Sequence, residues 1–179
     1  MTDYFYVRTA EHIKRVQKYM NIIFESDPEQ YKHLVPRIDL HDLSKYQEPE
    51  LTAYIFLTWK YYCADQGIPF KSFEGLDDAI QEATYHHVKC NAHHPEYHDM
   101  DTTLLSINPK DRDKPPAKMV DGTQMGMMDV AEMVADWMAM AEEKGTDPKD
   151  WAKMNVNKRW RFSSHQVSHI YELLELYKV

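Results

Sequence analysis

The chain has 179 residues, 43% of them hydrophobic and 28% charged, which suits one soluble globular domain with a substantial core. A formal charge of -8 argues against general nucleic-acid binding, which needs a basic surface, and five glycines without phosphate-loop spacing argue against a P-loop or dinucleotide-binding turn. Two cysteines are too few for a disulfide framework, the opening residues lack a signal-peptide core, and no run approaches the ~20 apolar residues of a membrane span, so a cytoplasmic protein without a membrane partner is expected.

In chain order, Val7, Ile13, Val16, Tyr19, Met20 and Ile23 recur at helical spacing and predict a first helix from Tyr4 to about Ser26, with His12 near its apolar stripe. Asp27-Pro28 reads as a cap and first helical position for a second helix that Pro36 ends or bends. A restarted helical segment, Arg37 to Tyr46, carries His41, Asp42 and Lys45, with positions 41 and 45 on one face. Glu48-Pro49 introduces an aromatic-rich helix from Glu50 to about Gln66, in which Cys63 reads as a packed residue.

A fourth helix, Leu76 to about Asn91, places His86 and His87 in its last turns and leads into His93-His94-Pro95-Glu96, where Pro95 disfavours helical geometry at His94. Spacing of seven lets His86 and His93, or His87 and His94, converge. The stretch near 106–122 shows no period and reads as a loop, either disordered or covering a site. Thr123 to Lys144 is the strongest helix; its methionine stripe (Met128, Met133, Met138, Met140) reads as core, and it carries Asp129, Glu132 and Asp136. A C-terminal helical extension, 147–179, looks structural, with Ser163 or Ser164 capping the last helix. The expected architecture is all-α, a single helical bundle of about six to eight helices over 1–179. Exposed methionines and aromatics permit a homo-oligomer.

Histidine is the unusual feature: there are ten. The dipeptide His41-Asp42 can give one metal both a nitrogen and an oxygen ligand, and the second carboxylate oxygen can reach another ion. Composition alone makes about one such dipeptide, and His98-Asp99 is a second, so the dipeptide counts only in company. The company is an ordered series: His12, His41-Asp42 ahead of Lys45, His86/His87, His93/His94, and a mid-helix Asp136. Neutral imidazoles and carboxylates suit Mn²⁺, Fe²⁺, Co²⁺ or Ni²⁺, and Zn²⁺ at lower coordination.

This series resembles the HD superfamily of all-helical metal-dependent phosphohydrolases, named for the His-Asp dipeptide. Val134-Ala135-Asp136-Trp137 looks like the family's last-ligand helix, which makes Asp136 the preferred ligand and Asp129 the second choice. The added histidines, with Glu96 and the His-Asp-x-x-Lys form, look like members holding two metals, in which the HD aspartate bridges the ions. His-His-Pro-Glu-Tyr with Glu132-Met-Val-Ala-Asp136-Trp is also similar to a small bacterial and phage branch. A Gly-Tyr-Pro motif of the cyclic-dinucleotide phosphodiesterases is absent.

The resemblance implies one or two divalent ions held by His12, His41, Asp42, His86, His87, His93, His94 and Asp136. It implies a small phosphorylated substrate such as a nucleotide, with Asp42, Lys45 and Glu96 as catalytic candidates and Lys45, Arg8 and Lys89 as substrate contacts. Glu132 and Glu96 read as groups that orient ligand imidazoles. Two rival readings are an HD-type di-iron oxygenase, and a non-catalytic module that binds nucleotide or metal.

Overall fold

The computed structural model describes residues 1–100 and 118–178. Its longest element, α1 (Thr2–Ser26), forms where no Pro or Gly interrupts the 3.6-residue period, and it buries Phe5, Thr9, His12, Ile13, Val16, Tyr19, Met20 and Ile23 on one stripe. Asp27 ends it by leaving helical geometry, with ψ 89°, and caps the next turn, its Oδ1 accepting from Gln30 N at 3.0 Å. The second helix is a single turn, α2 (Pro28–Tyr31), followed by a 3-10 turn at Val35–Arg37.

The helix expected to restart over Arg37–Tyr46 does not form. Asp42 has φ 59°, a left-handed conformation that an α-helix of L-residues cannot carry, and only a 3-10 turn, Leu43–Tyr46, follows it. His41 and Lys45 therefore share no helical face. Helices α3 (Glu50–Asp65) and α4 (Leu76–Cys90) stand close to expectation, with Cys63 buried. A one-turn helix, α5 (Pro95–His98), begins at the proline that His94 precedes in an extended conformation.

The strongest helix, α6 (Met127–Lys144), starts four residues later than expected, after Gly126, whose N–H donates to Asp129 Oδ2 at 2.9 Å. Helix α7 (Pro148–Asn155) is capped by Asp147, and α8 (Ser164–Leu174) by a reciprocal Ser163–Gln166 box. The expected loop lies mostly outside the described residues. Its end instead contributes β1 (Val120–Asp121), parallel to β2 (Trp160–Arg161), with Val120 opposite Trp160. A two-residue strand has too little alternation to be seen in a sequence.

The result is an all-α bundle, eight helices among the described residues. Its larger core joins α1, α6, α7 and α8 through Val16, Met20, Ile23, Met133, Met138, Ile170 and Leu174, so the C-terminal helices are part of the main packing. Met133 and Met138 fill it as a methionine stripe ordinarily does. A smaller core joins the start of α1 to α3 and α4 through Phe5, Ala53, Tyr54, Leu76, Ile80 and Ala83. Burying each large aliphatic contributes about 1.5–3 kcal/mol, so both clusters hold their helices firmly. Helix α1 runs through both, and His12 falls between Phe5 of one and Val16 of the other. Among the described residues no helix is long and apolar enough to cross a membrane.

Candidate metal centre

At the junction of the two cores the bundle gathers polar side chains from five stretches: His12 of α1, His41-Asp42 and Lys45 of the 38–46 turns, His87 of α4, His93-His94 ahead of α5, and Asp136 of α6. His12, His41, Asp42, His87 and His93 are buried. The left-handed backbone at Asp42 turns its carboxylate into the middle of this group. Its Oδ2 lies 3.4 Å from His12 Nε2 and 3.4 Å from His41 Nε2, and its Oδ1 lies 3.5 Å from His87 Nε2 and 3.6 Å from His93 Nε2. Asp136 Oδ1 stands 3.2 Å from His12 Nε2.

The far sides of the rings are tied to carboxylates, which can only accept, so the ring Nδ1 must donate. His41 Nδ1 donates to Glu132 Oε1 at 2.9 Å, and His87 Nδ1 to Glu50 Oε2 at 2.8 Å. His93 Nδ1 lies 3.3 Å from Glu132 Oε1. This leaves the Nε2 lone pairs of His41, His87 and His93 turned toward Asp42. Glu132 is itself fixed by Arg37, whose Nε donates to Glu132 Oε2 at 2.7 Å while its Nη1 meets Asp129 Oδ1 at 2.7 Å. Glu50 also accepts from Ser44 Oγ at 3.1 Å.

Burial opposes ionisation of Asp42, yet the charge of His41 when protonated, the ammonium of Lys45 and the charge of His87 when protonated outweigh it and hold its carboxyl well below the usual range. Burial is likewise overcome at Asp136 by His12 and at Glu132 by His41 and His93, and both carboxyls are lowered. Burial, with His93 and His87 close by, pushes His94 well below the usual imidazole range, so it is neutral and offers a lone pair.

The donor atoms fit a metal ion. Ligand atoms of His12, His41 and Asp42 lie within 4.8 Å of one another, and so do those of His87, His93 and His94. Buried His41 Nε2, Asp42 Oδ1 and His94 Nε2 have no hydrogen-bond partner, a costly state that cation ligation would relieve. These buried His, Asp and Glu groups could hold a metal ion. A third grouping joins His41 and His93 to Glu132, the carboxylate that the Nδ1 atoms of both rings already face. The site opens where Lys45 and Asp136 keep about a fifth of their side-chain surface, 21% and 20%, while His41 keeps none.

Several predicted residues stand elsewhere. His86 turns away from the cluster, with Nδ1 donating to Glu50 Oε1 at 2.7 Å and Nε2 3.3 Å from Cys90 Sγ, because adjacent helical residues point about 100° apart and His87 takes the inward direction. Lys45 Nζ sits on Asp42 Oδ2 at 2.5 Å. Lys89 spends its ammonium on the carbonyls of Glu96 and Asp99 at 2.7 and 2.8 Å, bracing the turn that carries His93 and His94 instead of facing a substrate. Arg8 pairs with Glu143 at 2.8 Å. Glu96 is buried and accepts from Trp160 Nε1 at 2.8 Å, which ties that same turn to β2. Gly122 closes the brace: a Cβ there would stand 2.8 Å from the Phe162 ring and 3.2 Å from Pro95 Cβ. Asp129 caps α6 and pairs with Arg37, while Asp136 reaches His12.

Glu50 and Arg37 are the residues sequence reasoning missed. An acidic residue at the first turn of a helix reads as dipole compensation, and only its complete burial singles Glu50 out. Arg37 carries no sequence signal of its role.

No curated protein and no solved structure matches the chain. A family model spans residues 1–176, and the chain accordingly belongs to that family, a family of unknown function (DUF5662).

Proposed function

We propose that this protein is an HD-type, metal-dependent phosphohydrolase of the cytoplasm, acting on a small phosphate ester, with nucleotides the first class to test. Its cofactor in this reading is one or two divalent transition-metal ions, Mn²⁺, Fe²⁺, Co²⁺, Ni²⁺ or Zn²⁺. The observation that supports it most is Asp42: a buried carboxylate on a left-handed backbone, each oxygen facing a different pair of imidazole nitrogens. A carboxylate so placed could be shared between two cations, and a strained backbone at such a point is a common mark of function.

When bound, the metal supplies a Lewis acid for phosphoryl oxygens and a water ionised near neutrality. The chain supplies the rest. Glu132 and Glu50 hold the ring tautomers, a bond that raises the basicity of the opposite nitrogen. Lys45, at the open side, moves from Asp42 toward phosphate oxygens and offsets the charge that grows on them. Buried walls on the His41 side keep bulk solvent away.

The test is elemental analysis of the purified protein, followed by phosphate release from nucleotide mono-, di- and triphosphates with Mn²⁺, Co²⁺ and Ni²⁺. The expected result is bound metal and metal-dependent release that Asp42→Ala abolishes. Oxygen-dependent turnover of a reduced iron form without phosphate release would replace this reading with an oxygenase. Tight nucleotide binding without turnover under any of these metals would replace it with a binding module.

A further inference from the structure

Outside the metal centre, the outward face of α4 carries a second cluster. Cys90 is exposed, and its Sγ lies 3.3 Å from His86 Nε2. His86 Nδ1 is 2.7 Å from Glu50 Oε1, and Glu50 is fully buried. A carboxylate can only accept, so Nδ1 carries the proton and the Nε2 lone pair faces the thiol. Nucleophile, base and a third group orienting the base stand within hydrogen-bond reach, the arrangement that activates a weak nucleophile. Cys63, in contrast, is buried in α3 and has no such neighbour among the bonds described.

We propose that Cys90, His86 and Glu50 form a thiol modification site, at which Cys90 takes up low-molecular-weight disulfides. Cys90 ends α4, where the helix dipole favours cations over anions, so the proton leaves within the step itself. As Cys90 Sγ attacks one sulfur of the disulfide, its S–H proton passes to His86 Nε2, the disulfide S–S bond breaks, and the departing thiolate takes the proton from His86. One thiol and one disulfide become one mixed disulfide and one released thiol, with no other oxidant needed. Glu50 also holds His87 through its other oxygen, so the cap forms one carboxylate away from the metal centre. Neither Cys90 nor His86 belongs to a metal grouping among the described residues, so this thiol chemistry shares Glu50 with the phosphohydrolase reading but does not depend on it.

The experiment treats the full chain, as purified, with glutathione disulfide at neutral pH and follows each cysteine by peptide mass spectrometry, with a free cysteine derivative as reference. Cys90 is expected to cap at least about tenfold faster than the reference, since only about 3% of an ordinary thiol with a pKa of ~8.5 is thiolate at pH ~7, while Cys63 stays unmodified. His86→Gln is expected to bring Cys90 down to the reference rate with Cys63 still protected, which reports an intact fold. A wild-type rate no faster than the reference overturns the proposal, whether or not the variant folds. An undiminished rate in a folded His86→Gln protein overturns it as well.

Discussion

The chain holds two His-Asp dipeptides, and they have opposite fates. His41-Asp42 lies buried at the junction of the two cores, with Asp42 left-handed and facing four imidazole nitrogens. His98-Asp99 closes a one-turn helix near the surface, where His98 Nε2 donates to Ala92 O at 2.9 Å and Asp99 Oδ2 accepts from Asp121 N at 2.7 Å. Each has its aspartate on α6: Asp136 stands 3.2 Å from His12 beside the first, and Asp129 stands 3.7 Å from His98 beside the second. Chemistry of the dipeptide is the same in both. What differs is whether packed helices surround it with further lone pairs or with backbone groups that use its bonds up.

Variants can break or sharpen that contrast. The largest effect is expected from Asp42→Ala, which removes the carboxylate that faces four imidazole nitrogens: metal content and any metal-dependent turnover fall to background while circular dichroism stays helical. Full metal occupancy in that variant would place the metal elsewhere. Next comes the α6 pair. Asp136→Asn is expected to lower metal affinity sharply, whereas Asp129→Asn, which loses a negative charge in the first turn of α6 beside Arg37, costs about 0.3–1 kcal/mol of stability and leaves metal content alone. A reversed ranking in elemental analysis and thermal melts would interchange the roles of the two aspartates.

Glu132→Gln keeps the shape but weakens the hold on His41 and His93, and a loss of roughly 10–100-fold in metal affinity is expected by competition with a chelator. Its effect on stability has a definite sign in the metal-free protein. His41 and His93 overcome the burial of Glu132 and lower its carboxyl below its ordinary 4.5, so the folded chain binds fewer protons than the unfolded chain as pH falls below that value. Stability contributed by this carboxylate is present above pH 4.5 and is lost as pH drops, and the Gln variant should show a shallower acid slope. The smallest effect belongs to the second dipeptide: Asp99→Ala removes an acceptor for Asp121 N and is expected to cost about 1 kcal/mol, with metal binding untouched. Loss of metal from Asp99→Ala would join the two regions into one site.

Reading the contrast from the sequence was partly within reach. A resemblance in the residues around it makes Asp136 the preferred ligand over Asp129, and in the fold Asp136 stands beside His12 while Asp129 pairs with Arg37. His86 and His87 are not separable from their adjacency alone, since the inward direction of α4 is set by packing of its Ile80 and Ala83 against Ala53 and Tyr54 of α3, with Tyr54 meeting the His87 ring. His93 and His94 both turn inward because they precede Pro95 in a non-helical turn, where neighbours need not diverge by 100°. Glu96 and Lys89 kept polar partners in the brace of that turn, a role visible only once Trp160 and the carbonyls of 96 and 99 were beside them.

By itself the sequence determined what is local: the helices α1, α3, α4, α6 and α8, the cap at Asp27 and one at Ser163 or Ser164, the apolar stripes, and the supply of imidazoles and carboxylates. Those follow from a 3.6-residue period and from bonds between residues three or four apart. Tertiary structure alone decided that Asp42 adopts a left-handed backbone where a helix was expected, that Val120 pairs with Trp160, and that buried Glu50 holds the rings of His86 and His87. Each depends on groups dozens of residues apart meeting in a low-dielectric interior, where an unpaired polar atom is too costly to leave alone.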